Sequence, residues 1–175
     1  MTEAARELLS PILCPLKMTT RRDFLRGNFS KRKPATPRPP WALAEAAFMA
    51  ACTRCGDCVR ACPERIIVED AEGRPTVSFA VAACTFCGRC EEVCKPHALR
   101  REEGAAPWQI KAEILDTCIA KQHVVCRTCG DACPTFAIRF HPQVMDAAQP
   151  EVDPEICTGC GACEAPCPAQ AIRIA

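Results

Sequence analysis

Sixteen of the seventeen cysteines in this chain fall into four copies of one spacing, and that spacing limits what the chain can fold around. The cleanest copy is Cys157, Cys160, Cys163, Cys167 and Pro168, which reads C-x2-C-x2-C-x3-C-P. The same unit stands at Cys52, Cys55, Cys58, Cys62 and Pro63. It returns at Cys84, Cys87, Cys90 and Cys94, where Lys95 displaces the proline to Pro96. A looser copy, Cys118, Cys126, Cys129, Cys133 and Pro134, opens with a seven-residue gap. The echo extends past the thiols: the fifth residue after each last cysteine is Ile67, Leu99, Ile138 or Ile172. A unit repeated in this way is an internal structural repeat.

The spacing is that of bacterial ferredoxins that carry two [4Fe–4S] clusters. Three close thiols on a loop with small residues such as Gly159, Gly161 and Ala162 reach three corners of a cubane, leaving backbone N–H groups free for its sulfurs. The fourth thiol of each motif belongs to the other cluster of its pair. Four clusters with crossed ligation follow. Cys52, Cys55 and Cys58 join Cys94, and Cys84, Cys87 and Cys90 join Cys62. Cys118, Cys126 and Cys129 join Cys167, and Cys157, Cys160 and Cys163 join Cys133. A disulfide scaffold fits poorly, because x2 spacings are awkward for disulfide geometry and no apolar cleavable signal is visible. Zinc sites pair C-x2-C elements across a longer loop, whereas here a third and a fourth cysteine follow at once.

Bulk properties agree with metal as the organising element. Tyrosine is absent and aromatics are 5% of residues, so a conventional apolar core would be thin and metal binding should be coupled to folding. A formal charge of +1 argues against a general nucleic-acid binder. Each cluster with four thiolates adds about −2, which makes the loaded body acidic. No stretch is long and apolar enough to read as a membrane span.

Taken in order, residues 1–40 read as a flexible basic arm that contains Cys14. Met18 opens a second candidate start of translation. Behind it, Thr19 to Arg26 matches a twin-arginine export consensus, but the basic, proline-broken run that follows cannot serve as its apolar region. The expectation is therefore a cytoplasmic protein in which Arg21 and Arg22 dock a protein partner. The fold expected is α+β: two tandem two-cluster ferredoxin-like units, residues 41–103 and 104–175, with short strands and helical turns around the clusters. Helical spacing of Leu43, Ala46, Ala47 and Phe48 predicts a short helix within 41–51, anchored by Trp41. Strands are expected at 66–68, 76–81, 108–115 and 172–174, with a turn at 71–74. The stretch Ile119 to Val125 either loosens the Cys118 corner, making that site the most labile, or packs down and reshapes it.

His97, His123 and His141 read as surface residues or as neighbours of the ligands, since each site already has four cysteines. No nucleophile–base pairing, phosphate loop or framed carboxylate pair is visible, so the chain does not read as an enzyme.

Four ferredoxin motifs, a twin-arginine-like start, Arg38-Pro39-Pro40-Trp41 and the wide Cys118–Cys126 gap together resemble the NapF family, the ferredoxin-type accessory proteins of periplasmic nitrate reductase systems. The likeness runs from about Met18 to the C-terminus, with Lys95 and the Cys14 segment as departures. It implies a protein that binds the precursor of the nitrate reductase catalytic subunit and assists its maturation, including assembly of that subunit's iron–sulfur cluster, before export. The cysteines fit equally well a polyferredoxin electron carrier or an electron-transfer subunit of a redox complex.

Overall fold

The computed structural model describes residues 37–175. Cys14, Arg21 and Arg22, and with them most of the arm, lie outside the described residues.

Each cysteine motif produces a loop and a tight turn, and each of the first three also contains a short helix. The helices are brief because a ligand must sit at both ends: α1 (Glu45–Ala51) leads into Cys52, while α2 (Asp57–Ala61), α3 (Arg89–Glu92) and α4 (Thr128–Asp131) each lie between the third and fourth thiol regions of a motif. After every fourth cysteine the chain turns in the same way. Arg65, His97, Phe136 and Gln170, each three residues past that cysteine, have φ between 48° and 56°. Their N–H groups donate to the carbonyls of Cys62, Cys94, Cys133 and Cys167 at 2.9–3.2 Å. Four unlike side chains accept the left-handed conformation because the turn around the ligand requires it. The next two residues then point inward, and Ile66, Ile67, Ala98, Leu99, Ala137, Ile138, Ala171 and Ile172 are all buried.

Those inward residues start the strands. In the first half β1 (Ile67–Glu69) pairs antiparallel with β2 (Pro75–Val77). Asp70 closes the turn between them, its carboxylate accepting from the N–H groups of Glu72 and Arg74. In the second half the equivalent hairpin is longer, β4 (Ile138–Gln143) with β5 (Asp146–Val152). The approach to the first motif of each half pairs with the exit from its second. Ala42 bridges to Leu99 in one half, and β3 (Ala112–Ile114) pairs with β6 (Ile172–Ile174) in the other. The two halves thus share one plan, an inner hairpin and an outer two-stranded pair.

The observed strands are shorter than their sequence patterns. The alternation from Trp108 to Leu115 yields only the three residues of β3, because β6 offers only three partners. The returning strand expected to reach Val81 stops at Val77, after which the chain swings Phe79 into the core at 2% exposure. The β4–β5 hairpin was not expected. Its turn, Val144 and Met145, carries none of the usual turn residues, and both side chains are fully exposed. One hydrophobic cluster runs from Trp41 and Phe48 through Phe79 to Ile172 and Ile174, drawing on both halves.

Trp41 and the residues before it are part of this packing. Pro39 and Pro40 are fully buried, and Trp41 is held by its N–H to the Pro107 carbonyl at 2.6 Å and its carbonyl from the Arg100 N–H at 2.8 Å. Arg38 bonds Asp70, Glu45 and the Pro75 carbonyl, with its guanidinium 5.0 Å from the Phe48 ring centre. No helix among the described residues is long and apolar enough to cross a membrane.

Candidate metal centres

All sixteen described cysteines are free thiols. Their grouping follows from helix geometry. In the first three motifs the third and fourth thiols are four residues apart around a short helix, about 6 Å apart along its axis and one above the other, while in the fourth motif consecutive turns take the helix's place. Each can then face a different space. Cys62 lines one cavity with Cys84, Cys87 and Cys90, beneath Pro40 and Trp41. Cys167 lines another with Cys118, Cys126 and Cys129, closed by Phe140 and Ile172. Cys133 lines a third with Cys157, Cys160 and Cys163. The fourth group shows in the surroundings of Cys58, whose thiol faces Cys94, Cys55 and Cys52. Every motif therefore contributes three thiols to one group and one to its neighbour.

Each of the three cavities is small and is lined by four cysteines. Among the described residues no three His, Cys, Asp or Glu side chains converge on a point that would hold a single ion. A tetrahedral zinc site needs its sulfurs only about 3.8 Å apart, from the usual Zn–S length. Thiols that ring a cavity suit a larger polynuclear group.

A profile of the 4Fe-4S dicluster domain matches residues 51–98, which hold the first two motifs, and 124–171, which hold the last two except Cys118. The ferredoxin-type protein NapF of Haemophilus influenzae is 45% identical over 164 residues, spanning 88% of this chain and 92% of that protein. NapF of Escherichia coli K12 is 39% identical over 153 residues, 87% of this chain and 92% of that protein. The chain belongs to the NapF family of ferredoxin-type proteins. A more distant relative, the methylamine utilization ferredoxin-type protein MauM of Methylorubrum extorquens, is 35% identical over 156 residues, 79% of this chain and 70% of that protein.

In this NapF-family chain the residues present fit [4Fe–4S] clusters in three further respects. Backbone N–H groups reach the sulfurs: Leu99 to Cys94, Ala137 to Cys133 and Ala171 to Cys167, each at 3.3 Å, and Phe86 to Cys84 at 3.4 Å. Such bonds favour the thiolate that iron requires. The third cysteine of each motif, Cys58, Cys90, Cys129 or Cys163, is buried. Burial first, and neighbouring thiolates second, push these thiols up to about 11 or 12. Charge of this kind is carried only with a cation between the sulfurs, so loading would release protons and hold the fold together. At Cys133 burial works in the same direction, but the Thr135 hydroxyl and several N–H groups outweigh it and hold the thiol below its usual value.

His97, His123 and His141 are exposed. His123 Nδ1 pairs with Asp146 and His141 Nε2 with Glu151, each at 2.7 Å, so these two imidazoles are engaged outside the thiol groups. The first part of the Ile119–Val125 stretch packs down, while Gln122 to Val125 are exposed. Ala120 is buried, its carbonyl accepts from Gln149 Nε2 at 3.0 Å, and the Lys121 ammonium donates to the Ile114 carbonyl at 2.9 Å. Spacing revealed all sixteen thiols, while the N–H donors and Thr135 carry no signal of their own in the sequence.

Proposed function

We propose that the sixteen cysteines bind four [4Fe–4S] clusters in the crossed sets described above, with residues 41–103 and 104–175 as the two two-cluster units. The observation that carries this reading is the lining of the cavities, in which Cys62, Cys133 and Cys167 each stand beside the three thiols of another motif. Anaerobic analysis of the fully reconstituted chain should give about sixteen iron and sixteen sulfide per chain. Eight iron or fewer would overturn it.

The biological role that best fits a NapF-family chain is service to a periplasmic nitrate reductase. It binds the precursor of the catalytic subunit in the cytoplasm, assists maturation before export and is not itself an enzyme. Arg21 and Arg22 would supply charge-assisted hydrogen bonds to carboxylates of that precursor. A tagged precursor should retain the chain on co-purification, and Arg21→Ala with Arg22→Ala should weaken that retention. Recovery of the chain from the periplasmic fraction would count against this role, as would retention unchanged by the double substitution. A second reading, electron carriage to a reductase, is favoured by the contact between Cys84 and Cys160 described below.

A further inference from the structure

We infer that the four thiol groups form one continuous line rather than two separate pairs, and that its spatial order differs from the order of the motifs in the sequence. The inference rests on the ligand sets proposed above. It names the Cys84–Cys160 contact as the junction through which the two halves communicate.

Within each half the sites are tied by covalent bridges. Cys58 and Cys62 stand at one helical turn and Cys90 and Cys94 at another, each joining the site of Cys52 to the site of Cys84. Cys129 with Cys133, and Cys163 with Cys167, join the site of Cys118 to the site of Cys157 in the same way. Between the halves the sites of Cys84 and Cys157 are joined by a hydrogen bond instead. The Cys84 N–H donates to the Cys160 carbonyl at 2.8 Å, so a ligand residue of one site is hydrogen-bonded to a ligand residue of the other.

The junction combines residues of two cysteine loops with Phe79 and Trp108 from outside the motifs. Trp108 is clipped between the two cysteine loops. Its ring meets Phe86 of one loop edge-on at 5.7 Å and Phe79 at 5.8 Å, and its Nε1–H donates to the Thr158 carbonyl of the other loop at 2.8 Å. Gly159 and Gly161 flank Cys160, and a Cβ at either would overlap its neighbours: Ile110 and Trp108 at Gly159, the Phe79 ring at Gly161. Glycine at 161 is thus required by the close approach of Phe79 from the other half, and glycine at 159 by the packing of Ile110 and Trp108 against the same loop. The line runs from the site of Cys52 to those of Cys84, Cys157 and Cys118, and its two ends are the first and third motifs.

Such a line conducts single electrons. Each transfer oxidises one site by one electron and reduces the next by one, with no bond made and no proton moved, and one-electron carriers outside the chain serve as donor and acceptor. The test reads magnetic coupling rather than activity. Replacing Cys55, Cys58, Cys126 and Cys129 with alanine leaves only the two central sites, which iron analysis verifies at about eight iron per chain. When both are fully reduced with dithionite, the electron paramagnetic resonance signal should be split or broadened by spin–spin interaction. The complementary variant, with Cys87, Cys90, Cys160 and Cys163 replaced, retains the two ends and should show isolated signals. Isolated signals from the central pair, or coupling between the ends, would overturn the line. Hydrogen exchange on the unmodified loaded protein tests the same junction without relying on either variant. The Cys84 amide should be protected, and its free exchange would also overturn the proposal. Iron counts that contradict the ligand sets would instead show that the reading beneath it had failed.

Discussion

At the scale of single residues, Gly161 and Gly73 separate two effects that are often merged. Both have left-handed backbones, with φ of 80° and 75°, but a Cβ on Gly161 would lie 2.1 Å from the Phe79 ring while one on Gly73 meets nothing within 4 Å. Gly73→Ala should cost about 1–2 kcal/mol from backbone strain alone. Gly161→Val adds overpacking and should cost about 3 kcal/mol or more. Denaturant midpoints of the loaded protein, followed by visible absorbance, rank the two. Arg38 makes a different point. Its side chain is 18% exposed and so is that of Asp70 at 21%, whereas Glu45 is 59% exposed, so the Asp70 bond and the stacking on Phe48 carry most of its value. Arg38→Ala should cost about 1–2 kcal/mol. The Arg38 guanidinium holds Glu45 below the usual carboxylate range, and the Arg74 N–H and then Arg38 do so for Asp70. Depressed carboxyl groups contribute fully above their unfolded values near 4 and lose that contribution as pH falls through the folded ones. The cost of Arg38→Ala, measured as a midpoint difference, should stay level from about pH 8 to 5 and shrink only below about pH 4.

At the scale of elements, the wide gap in the third motif is compensated by a hairpin. The β4–β5 ribbon is longer than β1–β2, and β5 supplies Gln149 to hold the Ala120 carbonyl and Asp146 to hold His123. Contacts from a neighbouring strand hold Ala120 and His123 of the seven residues, while Val124 and Val125 stay exposed. The site of Cys118 should therefore lose iron to a chelator at the same rate as the others. Gln149→Ala gives up about 1 kcal/mol of hydrogen bonding, so one quarter of the iron should then leave about five-fold faster. Uniform release from that variant would show that other contacts hold the loop.

For the whole molecule, most of the thiols pack in the apolar cluster around Trp41, Phe48 and Phe79, where six of the sixteen buried members are cysteines or alanines, and Cys118 and Cys126 pack in a smaller second cluster with Ala120 and Ala171. Few bulky side chains are fully buried: Phe48, Ile66, Leu99, Pro39 and Pro40. With so little apolar mass, metal binding must supply a large part of the folding free energy. Iron removal by oxidation and chelation should abolish far-ultraviolet circular dichroism and protease resistance together. Reconstitution should restore both, and an iron-free chain that keeps its protease resistance would refute the dependence.

The sequence by itself determined whatever is set within a few residues of a cysteine. The x2 and x3 spacings place three thiols on a loop and the fourth four residues past the third, and the left-handed turn at Arg65, His97, Phe136 and Gln170 belongs to the same local pattern. The aliphatic echo at Ile67, Leu99, Ile138 and Ile172 was legible for that reason. Where partners lie far apart in the chain, tertiary structure decided. β3 is three residues long because β6 is, the hairpin turn at Val144 and Met145 forms without turn chemistry because both strands are already anchored, and Trp108 leaves its strand pattern to clip two loops together. Hydrogen-bond partners and packing surfaces of that kind are properties of pairs of distant segments, and no local spacing encodes which pairs will meet.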